Sequence, residues 1–351
     1  MATDYSVRVI REGQYVGKRR NMHGLYWARI LLLSGVGLMG MTGAAHGERD
    51  AVPTEAKAVF IIVDGIPADV IERVATPALD DIAAAGGYTR AQMGGPMGTP
   101  AQTPTVSAPG YMSLVTGTWA DKHNVRANEK LEPNYEYWSL FRLAKSIEPP
   151  LTTGLFSTWT DNRTVLLGQG LPATDNLAID YVADGFEQDV VAFPHREHDQ
   201  HIEVIDRHVA AEAARVIAAE GPHLSWVYLQ YTDDVAHASG DGPDLDAAVR
   251  VMDGLVGQIW AAVAGRQAQY GEDWLILVTT DHGRDAETGR DHGGQSLRER
   301  TTWMVTNSQR LNPAYYSQPE MVDIYPSIVA HLGLPIPHQV AAGLDGSSFI
   351  D

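Results

Sequence analysis

From Ala58 onward, apolar residues alternate between short unbroken runs and longer stretches where they recur every three or four positions. AVFIIV (58–63) is such a run and predicts a buried parallel strand ending at Asp64-Gly65. TGLFSTW (153–159), SWVYLQY (225–231), WLILVTT (274–280) and TTWMVT (301–306) predict four more. The helical period is clearest over 245–263, where Leu245, Ala248, Val249, Met252, Leu255, Val256, Ile259 and Val263 share one face. A second helix is predicted over roughly 202–219, and a late one over 321–333 that closes on a glycine. Strands alternating with helices of this length predict an α/β fold, a mostly parallel central sheet sandwiched by helices. The Gly/Pro/Thr-rich stretch 94–107 reads as a loop. The charged, His-rich stretch 183–201 reads as part of a small insertion around 160–200.

The first 47 residues read differently. Lys18, Arg19, Arg20 and Arg29 lead into or open ILLLSGVGLMGMTGAA (30–45), which ends in small residues before Glu48. This is the order of a secretory signal, with Met22 as an alternative start, and the run is shorter than a spanning helix needs. The expectation is a cleaved segment 1–47 and a single domain over 48–351, periplasmic or secreted, with no stable membrane span after processing. A retained N-terminal anchor is the alternative. Cleavage takes the net charge from −18 to about −22. A body this acidic argues against nucleic acid as a partner.

The chain has no cysteine, so any metal site must use His, Asp and Glu, and 13 histidines make one feasible. In open α/β sheets ligands bind outside the carboxyl ends of the strands. Asp64 follows the first strand; Asp233, Asp234 and His237 follow the third; Asp281 and His282 follow the fourth, with His292 ten residues on. Alone, Asp233 and His237 read first as a helix cap and a surface histidine, and only then as ligands of one cation. Asp281-His282-Gly283 places two adjacent ligand types at a strand terminus, and His292 precedes two glycines. Together Asp64, Asp233, His237, Asp281, His282 and His292 suit two Zn²⁺ ions per chain. Two such ions clamp the attacking and leaving oxygens of a displacement at phosphorus.

FIIVDG, SAPGYMSLVTGTWADKHNVRAN, DDVAHASG, VTTDHG and DHGG occur in this order and span roughly residues 58–348 with their surroundings. This ordered set resembles the alkaline phosphatase superfamily, most closely its nucleotide pyrophosphatase/phosphodiesterase branch. The resemblance implies one zinc held by Asp64, Ser107, Asp281 and His282, and a second held by Asp233, His237 and His292. It implies a small-molecule phosphate ester or diester as substrate. In that branch the nucleophile stands ten residues before the glycine of a Thr-Gly pair, which here gives Ser107, with Pro109 two places on. Thr103 and Thr105 fall outside the spacing. Ser107 also suits a helix N-cap, where unpaired backbone N–H groups stabilise an anion. The branch has an asparagine on a non-bridging phosphoryl oxygen, which matches Asn128. A neutral donor there suits a diester. Ala120 and Asn124 depart from the branch's proline and glycine.

Four other readings stand beside this one. A phosphonate hydrolase or a phosphomonoesterase would use the same site. A sulfatase would require arginine where Tyr111 stands. A non-catalytic binding protein would not need every ligand and the nucleophile. Trp119, Tyr111 and Trp159 either stack on a base or belong to the core.

Overall fold

A computed structural model of the chain describes residues 55–147, 149–195 and 200–351. The predicted export segment 1–47 lies outside the described residues. The apolar runs form strands β1 (Ala56–Val63), β3 (Thr153–Ser157), β5 (Leu224–Leu229), β6 (Asp273–Thr279) and β7 (Thr301–Thr306). Two further strands, β2 (Gly87–Gln92) and β4 (Tyr181–Ala183), complete a seven-stranded sheet in the order β2-β7-β6-β1-β5-β3-β4. Strands β6, β1, β5, β3 and β4 are parallel, and β2 and β7 run against their neighbours. The α/β prediction with a mostly parallel sheet holds. β4 gives part of the predicted insertion a place as the sheet's edge.

Among the described residues, six helices of nine residues or more flank the sheet or continue from its strand ends: α1 (Pro77–Ala85), α2 (Ser107–Thr116), α3 (Gln200–Glu220), α4 (Tyr231–Ser239), α5 (Pro243–Tyr270) and α6 (Ile324–Leu332). Side chains alternate across a strand, so β1 feeds both faces of the sheet. Phe60 and Ile62 pack with Tyr111, Met112 and Leu114 of α2 and with Ile328 of α6. Val59, Ile61 and Val63 pack with α1, α3 and α5. Among the described residues α5 is the one helix long and apolar enough to cross a membrane. Its stripe Leu245, Val249, Met252, Val256 and Ile259 is buried against this second face, as a core helix requires.

Register places the site. Val63 pairs with Leu229, and Ile62 pairs with Thr279, so β1, β5 and β6 end side by side. Asp64, the start of α4 and Asp281 therefore emerge from three adjacent strand ends. The strand predicted over 225–231 stops at Leu229 because Gln230 already takes helical dihedrals as the N-cap of α4.

Candidate metal centre

Three predicted ligand atoms meet at a fourth, an imidazole nitrogen. Nε2 of His282 lies 3.3 Å from Asp281 Oδ2, 3.4 Å from Asp64 Oδ1 and 3.5 Å from Ser107 Oγ. A tetrahedral ion with arms of about 2.0 Å spans ligand–ligand edges of about 3.3 Å. The remaining ligands gather beside them. Nε2 of His237 is 3.3 Å from Asp233 Oδ2 and 3.1 Å from His292 Nε2, which is itself 3.8 Å from Asp233 Oδ1. His282 and His292 stack at 3.8 Å between centroids, so the two groups are contiguous. Candidate ligand atoms of Asp233, His282 and His292 also lie within 4.8 Å of one another, while His237 stands at the open rim, its side chain 42% exposed.

The histidines present the right nitrogen. The Nδ1–H of His282 donates to Gly283 O at 2.9 Å, and that of His292 to Thr105 O at 3.0 Å. Each bond fixes the tautomer that leaves a lone pair on Nε2. Each carboxylate likewise has one oxygen engaged. Asp64 Oδ2 accepts from Tyr228 at 2.6 Å and from the Tyr111 hydroxyl. Asp281 Oδ1 accepts from the Gly65 N–H at 3.1 Å, and Asp233 Oδ1 accepts from Arg284. Asp64 Oδ1 and Asp281 Oδ2 are buried without a hydrogen-bond partner. Orphaned carboxylate oxygens are costly in a low-dielectric interior, and a cation between them satisfies both.

Electrostatics agree. Burial, then the charges of Asp281 and Asp233, hold the Asp64 carboxyl well above the usual range, and the two tyrosines only partly offset this. Burial and then Asp233 push Asp281 up to about 6. Burial lowers His282 to about 4, and burial with His282 lowers His292 to about 4. Asp233 stays below its ordinary value: burial works against this, but the bond from His237 and the charge of Arg284 outweigh it. The cluster is short of positive charge, which is what a divalent ion supplies.

The three loop hydroxyls differ in what they touch. Thr103 donates to Ala101 O at 3.0 Å and accepts from the Ala120 N–H at 3.0 Å. Thr105 donates to Gly294 O at 2.7 Å and accepts from the Gly293 N–H at 3.1 Å. Ser107 faces His282. The cap prediction for Ser107 needs correction. Val106 is the extended residue before α2 (φ −128°, ψ 153°), so it is the N-cap, and Ser107 opens the helix one place inside. Its oxygen is thereby free of capping. Asn128 does part of the cap's work, accepting the Ala108 N–H on Oδ1 at 2.8 Å, so its Nδ2 remains as a donor. Tyr111 and Trp119 are buried in the core, and Trp159 packs edge-on to Tyr111 at 6.3 Å.

Tyr111, Tyr228 and Arg284 were not among the predicted site residues. Arg284 is fully buried and donates to Gly65 O at 3.0 Å, Arg290 O at 2.8 Å and Asp233 O at 3.0 Å. Gly65 makes room for it. At φ +65°, a Cβ there would sit 2.5 Å from Asp233 Oδ1 and 2.6 Å from Arg284 Nη2. The only sequence signals were an arginine two places after His282 and a tyrosine one place before the end of β5.

Known structures share the fold. A putative sulfatase from Bacteroides thetaiotaomicron superposes with a TM-score of 0.59 at 14% identity, covering 84% of this chain and 73% of that one. The phosphonate monoester hydrolase of Agrobacterium radiobacter gives 0.56 at 16%, covering 84% and 76%. Murine ectonucleotide pyrophosphatase/phosphodiesterase 5, in an inactive form with AMP, gives 0.56 at 15%, covering 81% and 97%. Identities this low show a shared fold. GPI ethanolamine phosphate transferase 3 of Eremothecium gossypii is 38% identical over 101 residues, which is 24% of this chain; the chain spans only 9% of that protein. The family model for type I phosphodiesterase/nucleotide pyrophosphatase matches residues 58–331, from β1 to α6 and across every predicted ligand. The chain belongs to the type I phosphodiesterase/nucleotide pyrophosphatase family.

Proposed function

We propose that the chain is a two-zinc phosphodiesterase in which Ser107 is the nucleophile. The observation that carries this reading is the ring of Asp64 Oδ1, Asp281 Oδ2 and Ser107 Oγ around His282 Nε2 at 3.3–3.5 Å. Asp64, Ser107, Asp281 and His282 would hold one ion, and Asp233, His237 and His292 the other. Such ions contribute Lewis acidity at phosphorus and lower the pKa of a hydroxyl beside them. Ser107 Oγ forms the bond to phosphorus as one ester oxygen leaves with the serine's proton, and water then cleaves the Ser107 phosphodiester to release the monoester. The N-terminus of α2, with Ser107 in its first turn, favours the anionic phosphoryl group. The Asn128 amide is a neutral donor, which matches the single negative charge of a diester better than the two of a monoester.

The test is elemental analysis of the purified protein beside assays on one chromogenic diester and one monoester. The reading expects about two zinc ions per chain, loss of turnover with a chelator, recovery with zinc, and a preference for the diester. Full turnover in metal-stripped protein would overturn it.

A further inference from the structure

Two buried phenols converge on one carboxylate oxygen. Tyr111 comes from α2 and Tyr228 from β5, their ring centroids are 5.0 Å apart, and both hydroxyls donate to Asp64 Oδ2. One donor would have satisfied this oxygen. With two, both of its lone-pair directions are occupied, and Asp64 has only Oδ1 left to give. Asp281 Oδ1, by contrast, accepts from the Gly65 N–H and Asp233 Oδ1 from Arg284, so the paired phenols are particular to Asp64.

We infer that Tyr111 and Tyr228 are positioning residues that decide which cation the first position accepts, by confining Asp64 to one-oxygen ligation. The inference rests on the metal reading above. Ca²⁺ takes six to eight oxygens at about 2.3–2.6 Å and commonly draws both oxygens of a carboxylate. A small tetrahedral ion needs four ligands, one atom from each. At this position the described protein donors are three single oxygens and one nitrogen, which fits the second requirement and falls short of the first. Freeing Asp64 Oδ2 adds an oxygen and relaxes the geometry toward larger ions.

Tyr111→Phe/Tyr228→Phe removes both hydroxyls and keeps both rings, which pack on each other, with Tyr111 also edge-on to Trp226 at 6.2 Å. Wild type and variant are compared by competitive equilibrium dialysis with Zn²⁺ and Ca²⁺ and by the visible absorption of the Co²⁺-loaded protein. The expected result is zinc affinity lowered about 10–100-fold, the usual effect of losing a group that orients a ligand. The Zn²⁺/Ca²⁺ preference should narrow by roughly the same factor, and the Co²⁺ bands should weaken as coordination rises above four. Tyr228→Phe alone should shift all three in the same direction by less, and it replaces the double variant should that fail to fold. An unchanged preference with an unchanged Co²⁺ spectrum would overturn the inference while leaving the metal reading intact. A wild-type chain that takes up no metal would overturn both.

Discussion

At Ser107 the backbone has already turned helical, and this single place of displacement from the cap leaves its oxygen to face His282 rather than an amide of its own helix. Ser107→Ala should keep the fold, bind at least one metal ion, and lose several orders of magnitude in turnover, read as kcat on a diester. Thr105→Ala should behave differently. Its hydroxyl bridges Gly293 and Gly294 beside His292, so its loss should loosen that ligand and cost roughly tenfold. Asn128→Ala removes one phosphoryl donor and should slow diester turnover by about 10²–10³ with little change in zinc content. The candidate ligands were legible in the sequence because Asp and His recur directly after successive apolar runs, where one sheet edge brings them together. Tyr111, Tyr228 and Arg284 were not, because their work is done by contacts across 47, 164 and 51 residues of chain that no local pattern records.

Central strands declare themselves by continuous apolar runs, and all five of those predicted are present. The edges do not. β2 is GYTRAQ, half-buried and carrying Gly, Arg and Gln, and β4 is three residues long, so neither offers a run to read. One buried ionic cluster holds the opposite end of the sheet together. Glu272 accepts from Arg266 of α5 at 2.8 Å and from Trp274 of β6 at 2.7 Å, and pairs with Lys57 of β1 at 3.1 Å, while Lys57 reaches Gly221 O at the end of α3. Burial opposes ionisation of Glu272, but these bonds prevail and lower its carboxyl from 4.5 to about 2. A carboxylate whose folded pKa is depressed contributes stability that is complete above its unfolded value and is lost as pH falls through the folded one. Glu272→Gln should therefore destabilise the protein by on the order of 3 kcal/mol at pH 7. The gap from wild type should close between about pH 4.5 and 2, measured by urea melts across that range. A gap independent of pH would contradict the cluster's role.

Taken whole, the chain is an acidic body with net charge −18 whose centre is short of positive charge, an arrangement that divalent ions complete. We propose that it is exported, on the strength of the basic residues, the apolar run 30–45 and the small residues before Glu48. Protein recovered from its native host should then begin near Glu48 by N-terminal sequencing, and an intact, membrane-held N-terminus would contradict cleavage. What the sheet order, the cap of α2 and the orphaned carboxylate oxygens share is one outcome, a serine hydroxyl held beside a ligand cluster at three strand ends.

The most direct test of that outcome is to quench the enzyme in acid during turnover of a diester and map phosphorylation by mass spectrometry. The account predicts on Ser107 the phosphoryl group with its remaining ester substituent, formed and lost at rates consistent with kcat, together with retention of configuration at phosphorus. Phosphate on Thr105, or turnover with inversion and no phosphorylated residue, would contradict it.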